Sequence, residues 1–276
     1  MAGMKIEDLW SPAREQALER MLASVEAGDV CAAVRCIGVG EQRQVDEAEQ
    51  WLAELGAGLK GVRADHPLEA AQALARALHD DAGLCLDVED DGAAAGDVHR
   101  ALHSGAGDLI ALGTIWCDVA RRAGWGAELL EMDAFVAISL DGVLIDVTSG
   151  AVVTAADCRR IVTEVSDDEV YFEAAFLEPA PAARVADRAL RRRVASAKAA
   201  ADTVRIYREL RLLAALHDDD DALQLELGEA AEQAGHRSFA RALYLVLRGR
   251  APDGPTHNEA TRRLKLMGGD TNEQVH

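Results

Sequence analysis

The sequence predicts an α+β chain that is mostly helical: a core helix backed by a small antiparallel sheet, followed by an all-α region. Two stretches carry this. Between Ala101 and Gly150, Leu109, Leu112, Trp116, Val119 and Ala123 recur at spacings of three and four, so they line one apolar stripe of a long helix. Strand-like runs follow at once, Ala127 to Met132, Phe135 to Ser139 and Val143 to Val147. The last two are joined through Leu140-Asp141-Gly142, where Asp-Gly is a hairpin signal. From Val185 to Ala201 and from Thr203 to His217, Leu, Val and Ala keep helical spacing.

The remaining elements follow in order. Ile6 to Gly38 is helical in pattern, starting after Ser11-Pro12, with Leu18, Met21, Leu22 and Val25 on one face. Within it, Cys31 to Ile37 fits either a helix end or a short strand. A second helix runs from Val45 to Leu59 and a third from His66 to Asp80, whereas Cys85 to Val88 is too short to place. Glu89 to Asp97 has the Gly and Asp density of a loop. The core helix carries a second stripe of small residues, Gly113, Cys117, Ala120 and Gly124, which lets backbone approach closely. Thr154 and Asp157, three apart, form a capping-box-like start for a helix to about Glu164.

Charged residues 166–169 and the Pro179 and Pro181 pair mark a junction. The expected organisation is therefore a first domain over 1–165, a linker over 166–182 and a helical region over 183–276. In the latter, Leu227, Gly228, Gly235, Ala240, Tyr244 and Pro252 occupy the Leu-Gly, Gly, Ala, aromatic and Pro positions of a tetratricopeptide repeat from about Asp221 to Gly254. Such an array leaves a concave face for a partner segment.

Composition narrows the function classes. The chain has 276 residues, 49% hydrophobic, with 29 Lys plus Arg against 48 Asp plus Glu and a net charge of -19. That balance repels phosphate backbones and anionic lipid, so neither nucleic acid nor a membrane surface is an expected partner. The basic run Arg191-Arg192-Arg193, near Arg184 and Arg188, reads as a salt-bridge strip or solvated face. The N-terminus has no apolar signal-peptide core, and no uninterrupted apolar stretch would span a bilayer. Five scattered cysteines, Cys31, Cys36, Cys85, Cys117 and Cys158, fit reduced thiols in the cytoplasm.

The run DLIALGTIWCDVARRAGW, an AFVAIS strand, then VLIDVTSG and a helix opening TAADC resembles the bacterial SirB-type transglutaminase-like proteins. In these, a papain/transglutaminase-like core precedes tetratricopeptide-like helices. Helical segments EAEQWLAELG and EAAQALARALHDDAGLCLD match those before the family's core helix, so the resemblance runs from about Val45 onward. It implies a Cys at the start of the core helix, a His on the following strand and an Asp on the next. The nucleophile position falls on or beside Leu109, between Asp108 and Ile110, and none of these is a thiol. Ala134 stands where the imidazole belongs. Asp146 alone keeps its family identity. A triad needs a nucleophile, a base and a group that orients the base, so the resemblance implies the fold and a lost chemistry.

Other candidates rest on the residues themselves. Cys117, about two turns past the nucleophile position on an interior face, fits a packed thiol or a displaced nucleophile. Asp146 fits a turn former or a leftover orienting acid. His99 and His103, four apart at the start of the core helix, could share a metal, but no third ligand completes a set. His217 and the four aspartates after it lack calcium-loop spacing and read as an inter-helix turn. No cofactor or metal is expected. The function these readings support is a non-catalytic protein- or peptide-binding scaffold, regulatory or accessory. The alternative is a cryptic cysteine-dependent hydrolase or acyltransferase using Cys117, Asp146 and His99 or His103.

Overall fold

A computed structural model describes residues 9–62, 64, 66–132, 135–165, 172–250 and 254–268. The expectations at Ala134 and Pro252, and part of the expected linker, lie outside these residues. The chain packs as two compact units, one of residues 12–193 and one of 1–11 with 194–276. They divide within a helix, between Arg193 and Val194, whereas the Pro179 and Pro181 stretch belongs to the span of the first.

The first unit opens with helices α1 (Pro12–Glu26) and α2 (Val30–Arg35), so Cys31 to Arg35 is helical. Asp29 caps α2 by accepting from Ala32 N at 3.1 Å. Helix α3 (Gln42–Leu59) follows, then α4 (Pro67–Ala75), which continues as a π-helical turn over Arg76–Asp81. There Ala82 N reaches back five residues to Ala77 O at 3.0 Å.

The long core helix expected from Ala101 is divided. Helix α5 (Val98–Ser104) stops at Gly105, whose φ is 77°. Ala106–Gly107 then forms strand β2, parallel to β1 (Cys85–Leu86), and the core helix proper, α6, spans Leu109–Ala123. Glycines on both sides of Ala106 and the N-cap residue Asp108 are the physical cause: each ends or begins a helix rather than extending one. His99 and His103 therefore sit on a separate helix and not on the core helix.

Strands β3 (Ala127–Met132), β4 (Phe135–Leu140), β5 (Val143–Asp146) and β6 (Val152–Val153) form an antiparallel sheet in that order. At the β4–β5 turn Asp141 and Gly142 have φ of 47° and 88°, the two left-handed positions a tight hairpin turn demands. The small-residue stripe of α6 faces this sheet: a Cβ on Gly113 would lie 2.6 Å from Val136 Cγ1. Ile110, Leu112, Ile115, Trp116 and Val119 are all buried, because α2 and α3 pack on α6 as well. Alternation along β3 sends Leu130 and Met132 to a second cluster with Phe135, Cys158 and Val162. Helix α7 (Ala155–Val165) covers that cluster, and its start has the expected reciprocal cap: Asp157 N donates to Thr154 Oγ1 at 3.2 Å and Thr154 N to Asp157 Oδ2 at 2.9 Å. Helix α8 (Ala182–Ala199) carries the division between the units.

The second unit is all-α. Helices α9 (Thr203–Leu216), α10 (Asp221–Gln233), α11 (Arg237–Arg250) and α12 (Pro255–Leu266) pack in sequence as antiparallel neighbours. Asp202 and Asp220 cap α9 and α10, so the acidic run after His217 is a turn and a cap. Gly235 turns the chain at φ 87°. A Cβ on Gly228 would meet Tyr244 Cε1 at 2.5 Å, and Ala240 is fully buried between the same helices. Residues 9–11 pack here too: Arg208 Nε donates to Leu9 O at 3.0 Å, and the Arg211 guanidinium lies 4.2 Å from the Trp10 ring. Among the described residues no helix is long and apolar enough to cross a membrane.

Candidate functional site

The amino end of α6 is where the sequence reading puts the family's nucleophile position. Asp108 caps it and is only 4% exposed. Its Oδ1 accepts from Ala111 N and from Gly96 N, each at 2.9 Å, and Arg192 Nη1 donates to its Oδ2 at 3.0 Å. Burial pushes the Asp108 carboxyl up, against the two backbone N–H groups and the Arg192 charge that hold it down. Gly96 belongs to the Gly- and Asp-rich loop 89–97. That loop is thereby fastened onto the helix terminus, and Leu109 and Ile110 follow the cap with no acid, base or thiol between them.

Asp146 ends β5. Thr148 N, Thr148 Oγ1 and Ser149 Oγ donate to its carboxylate at 2.8, 2.7 and 2.6 Å. Its acceptor capacity is directed into the turn that leads to β6, the geometry expected of an Asp before Val-Thr-Ser-Gly.

Cys117 is fully buried, and its Sγ donates to Ala127 O at 3.4 Å. A second buried thiol, Cys31 on α2, belongs to the same cluster. Arg121, one turn along α6, completes the cluster: its Nε donates to the same Ala127 O at 2.9 Å and its Nη1 to Cys31 Sγ at 3.7 Å. Hydrogen bonding between the thiols draws Cys117 down and pushes Cys31 well up, with burial opposing the first shift and reinforcing the second. The sequence reading missed this pairing, because Cys31 and Cys117 are 86 positions apart in chain numbering and no local pattern links them.

His99 and His103 stack on each other and on Trp51 of α3, with ring centroids 6.0 to 6.3 Å apart and planes within 17°. His99 Nε2 also meets Glu47 Oε2 at 3.2 Å. Neither histidine contacts Cys117 or Asp146, and among the described residues no group of three or more metal-ligating side chains forms. Trp51 also lines a cavity of about 710 Å³ whose apolar wall includes Leu55, Leu59, Leu84 and Leu102, with Arg76 among its lining residues.

The arginine run behaves as an ion-pair strip. Arg184 meets buried Glu131 at 3.0 Å and Arg188 pairs with the same carboxylate. Arg191 meets Asp187 at 2.9 Å, Arg192 meets Asp108, and Arg193 approaches Asp97 at 3.8 Å.

A family model described as the transglutaminase-like superfamily matches residues 41–191, more than half of the chain. The chain belongs to the transglutaminase-like superfamily. The matched span runs from the start of α3 through α6, the sheet and the first part of α8, so it contains Asp108, Cys117, Asp146 and, of the arginines, Arg184, Arg188 and Arg191. No curated protein and no solved structure gives a significant match.

Proposed function

We propose that this chain is a catalytically degenerate, SirB-type member of the superfamily that works in the cytoplasm as a non-catalytic protein- or peptide-binding scaffold, regulatory or accessory to another protein. In this reading its helices from about residue 183 form the tetratricopeptide-like region. The observation that carries the reading is Asp108. Where a superfamily enzyme needs a thiol that can reach substrate, this chain has a buried carboxylate holding two backbone N–H groups and an arginine. Such a group secures a helix end and a loop, and it has no capacity left for acyl transfer. The Gly228–Tyr244 contact and the Gly235 turn support a tetratricopeptide-like hairpin. The 710 Å³ apolar cavity beside Trp51 is the surface on which a partner's apolar side chains would seat.

One observation favours the alternative, a cysteine-dependent hydrolase or acyltransferase: Cys117 is drawn down by hydrogen bonding with Cys31, and the Arg121 charge adds to this. Incubation with an activated acyl ester separates the two readings. The scaffold reading expects no acyl adduct on any thiol by intact mass. It also expects binding of peptides selected from a display library, lost in Leu55→Arg and retained in Asp146→Asn. A stoichiometric adduct on Cys117 overturns it.

A further inference from the structure

The Cys31–Cys117–Arg121 cluster lies in the first unit, with Cys117 and Arg121 inside the superfamily match and Cys31 ahead of it, yet the scaffold reading gives it no task. Two free, buried thiols from different helices gather around Arg121: its Nη1 donates to Cys31 Sγ at 3.7 Å, and its Nε shares the Ala127 carbonyl with Cys117 Sγ. The same arginine is not sealed in. With Trp125, Ala127, Glu128, Ser139 and Asp141 it lines a cavity of about 380 Å³. Ala127, whose carbonyl accepts from both Cys117 and Arg121, is part of that wall. The pair therefore lies one layer beneath a polar opening large enough for a small oxidant. Asp29, the cap of α2, faces Arg121 at 3.5 Å and ties the segment carrying Cys31 to the same cation.

We propose that Cys31 and Cys117 are a redox-active dithiol, closed to an internal disulfide by a hydroperoxide that enters over Arg121. Protons leave two interacting thiols in steps that belong to the pair, and here one thiolate is shared across the hydrogen bond beside a fixed positive charge. That thiolate attacks a peroxide oxygen. An S–O bond forms, the O–O bond breaks, and the departing hydroxide takes the partner thiol's proton to become water. The second thiolate then attacks the sulfenic sulfur, forming the S–S bond and expelling hydroxide, which takes up the proton first released. The dithiol loses two electrons, and one hydrogen peroxide becomes two waters. Closure needs the sulfurs to come within about 2 Å of each other. Helix α2 carries Cys31 and has only six residues, so it is the short element that shifts.

The test is hydrogen peroxide titration of the full folded chain, followed by quenching, alkylation in denaturant and non-reducing peptide mapping. Exposed Cys85 and half-buried Cys36 serve as internal references. The expected result is a Cys31–Cys117 linked peptide, reversed by a thiol reductant. It should form at peroxide doses no higher than those that oxidise Cys85, and roughly tenfold more slowly in Arg121→Gln, as expected where a neighbouring cation sets the thiolate fraction. Cys31→Ser should leave a sulfenic acid on Cys117 that dimedone traps; if that variant fails to fold, the wild-type map decides alone. Recovery of both thiols intact while Cys85 is oxidised, or a linked peptide only in denaturant, overturns the proposal. An acyl adduct on Cys117 would instead sink the scaffold reading and leave this measurement untouched.

Discussion

At the residue scale the informative side chains are those whose surroundings use them up. Asp146 accepts three short hydrogen bonds from the turn it opens. Asp146→Asn keeps one carbonyl acceptor and gives up the charge, so unfolding in urea should show a loss of about 1–3 kcal/mol. Any esterase background should stay unchanged. A fall in activity with unaltered stability would restore Asp146 as an orienting acid. The identity of Asp146 was legible from VLIDVTSG because its partners lie within three positions of it. Asp108 was legible only as a non-thiol: one of its partners, Arg192, arrives from 84 positions away. The Cys31 partner of Cys117 was hidden for the same reason, since sequence spacing reports neighbours on one helix and is silent about neighbours across two.

At the element scale, local chemistry set most boundaries. The Asp-Gly turn, the Thr154 cap and the β3 to β5 runs all depend on residues within a few positions of each other, and each stands where its local signal puts it. The core helix differs because its apolar periodicity continues through Ala101 while Gly105, Gly107 and Asp108 interrupt the backbone. The β6 strand is two residues long, shorter than any alternation could reveal. The α10–α11 hairpin offers a direct test. Gly228→Ala would gain about 1 kcal/mol of helix propensity, but its Cβ would lie 2.5 Å from the Tyr244 ring. That ring is fully buried, and its hydroxyl is held by Glu232 at 3.3 Å, so it cannot swing aside. Overpacking of about 1–3 kcal/mol should win, and urea unfolding should show a net destabilisation. A more stable Gly228→Ala would mean that the two helices separate freely.

At the scale of the whole molecule, charge dominates. With 48 acidic against 29 basic side chains, like-charge repulsion is spread over the chain. The arginine strip, by contrast, is locally paired with Asp187, Asp108, Asp97 and Glu131. Screening acts first on the exposed, distant charges. The melting temperature should therefore rise as sodium chloride goes from low millimolar to physiological ionic strength. A fall would show that surface ion pairs outweigh the net repulsion. The fold class was readable at this scale, since apolar periodicity reports how much of a chain is helix or strand. The line between the packing units was not readable, because it runs through the uninterrupted helix α8, where composition does not change.

The π-helical turn after α4 has a consequence for how the cavity wall can vary among relatives. A π turn is an α-helix carrying one surplus residue, and each residue of an α-helix advances the side-chain direction by about 100°. Leu78 is buried within this turn, whereas Arg76, Ala77 and Asp81 line the cavity. Excising a single residue here would restore regular winding within the turn and redistribute which of its residues face the core and which the cavity. A relative one residue shorter at this point would keep the same helix and present a different cavity wall.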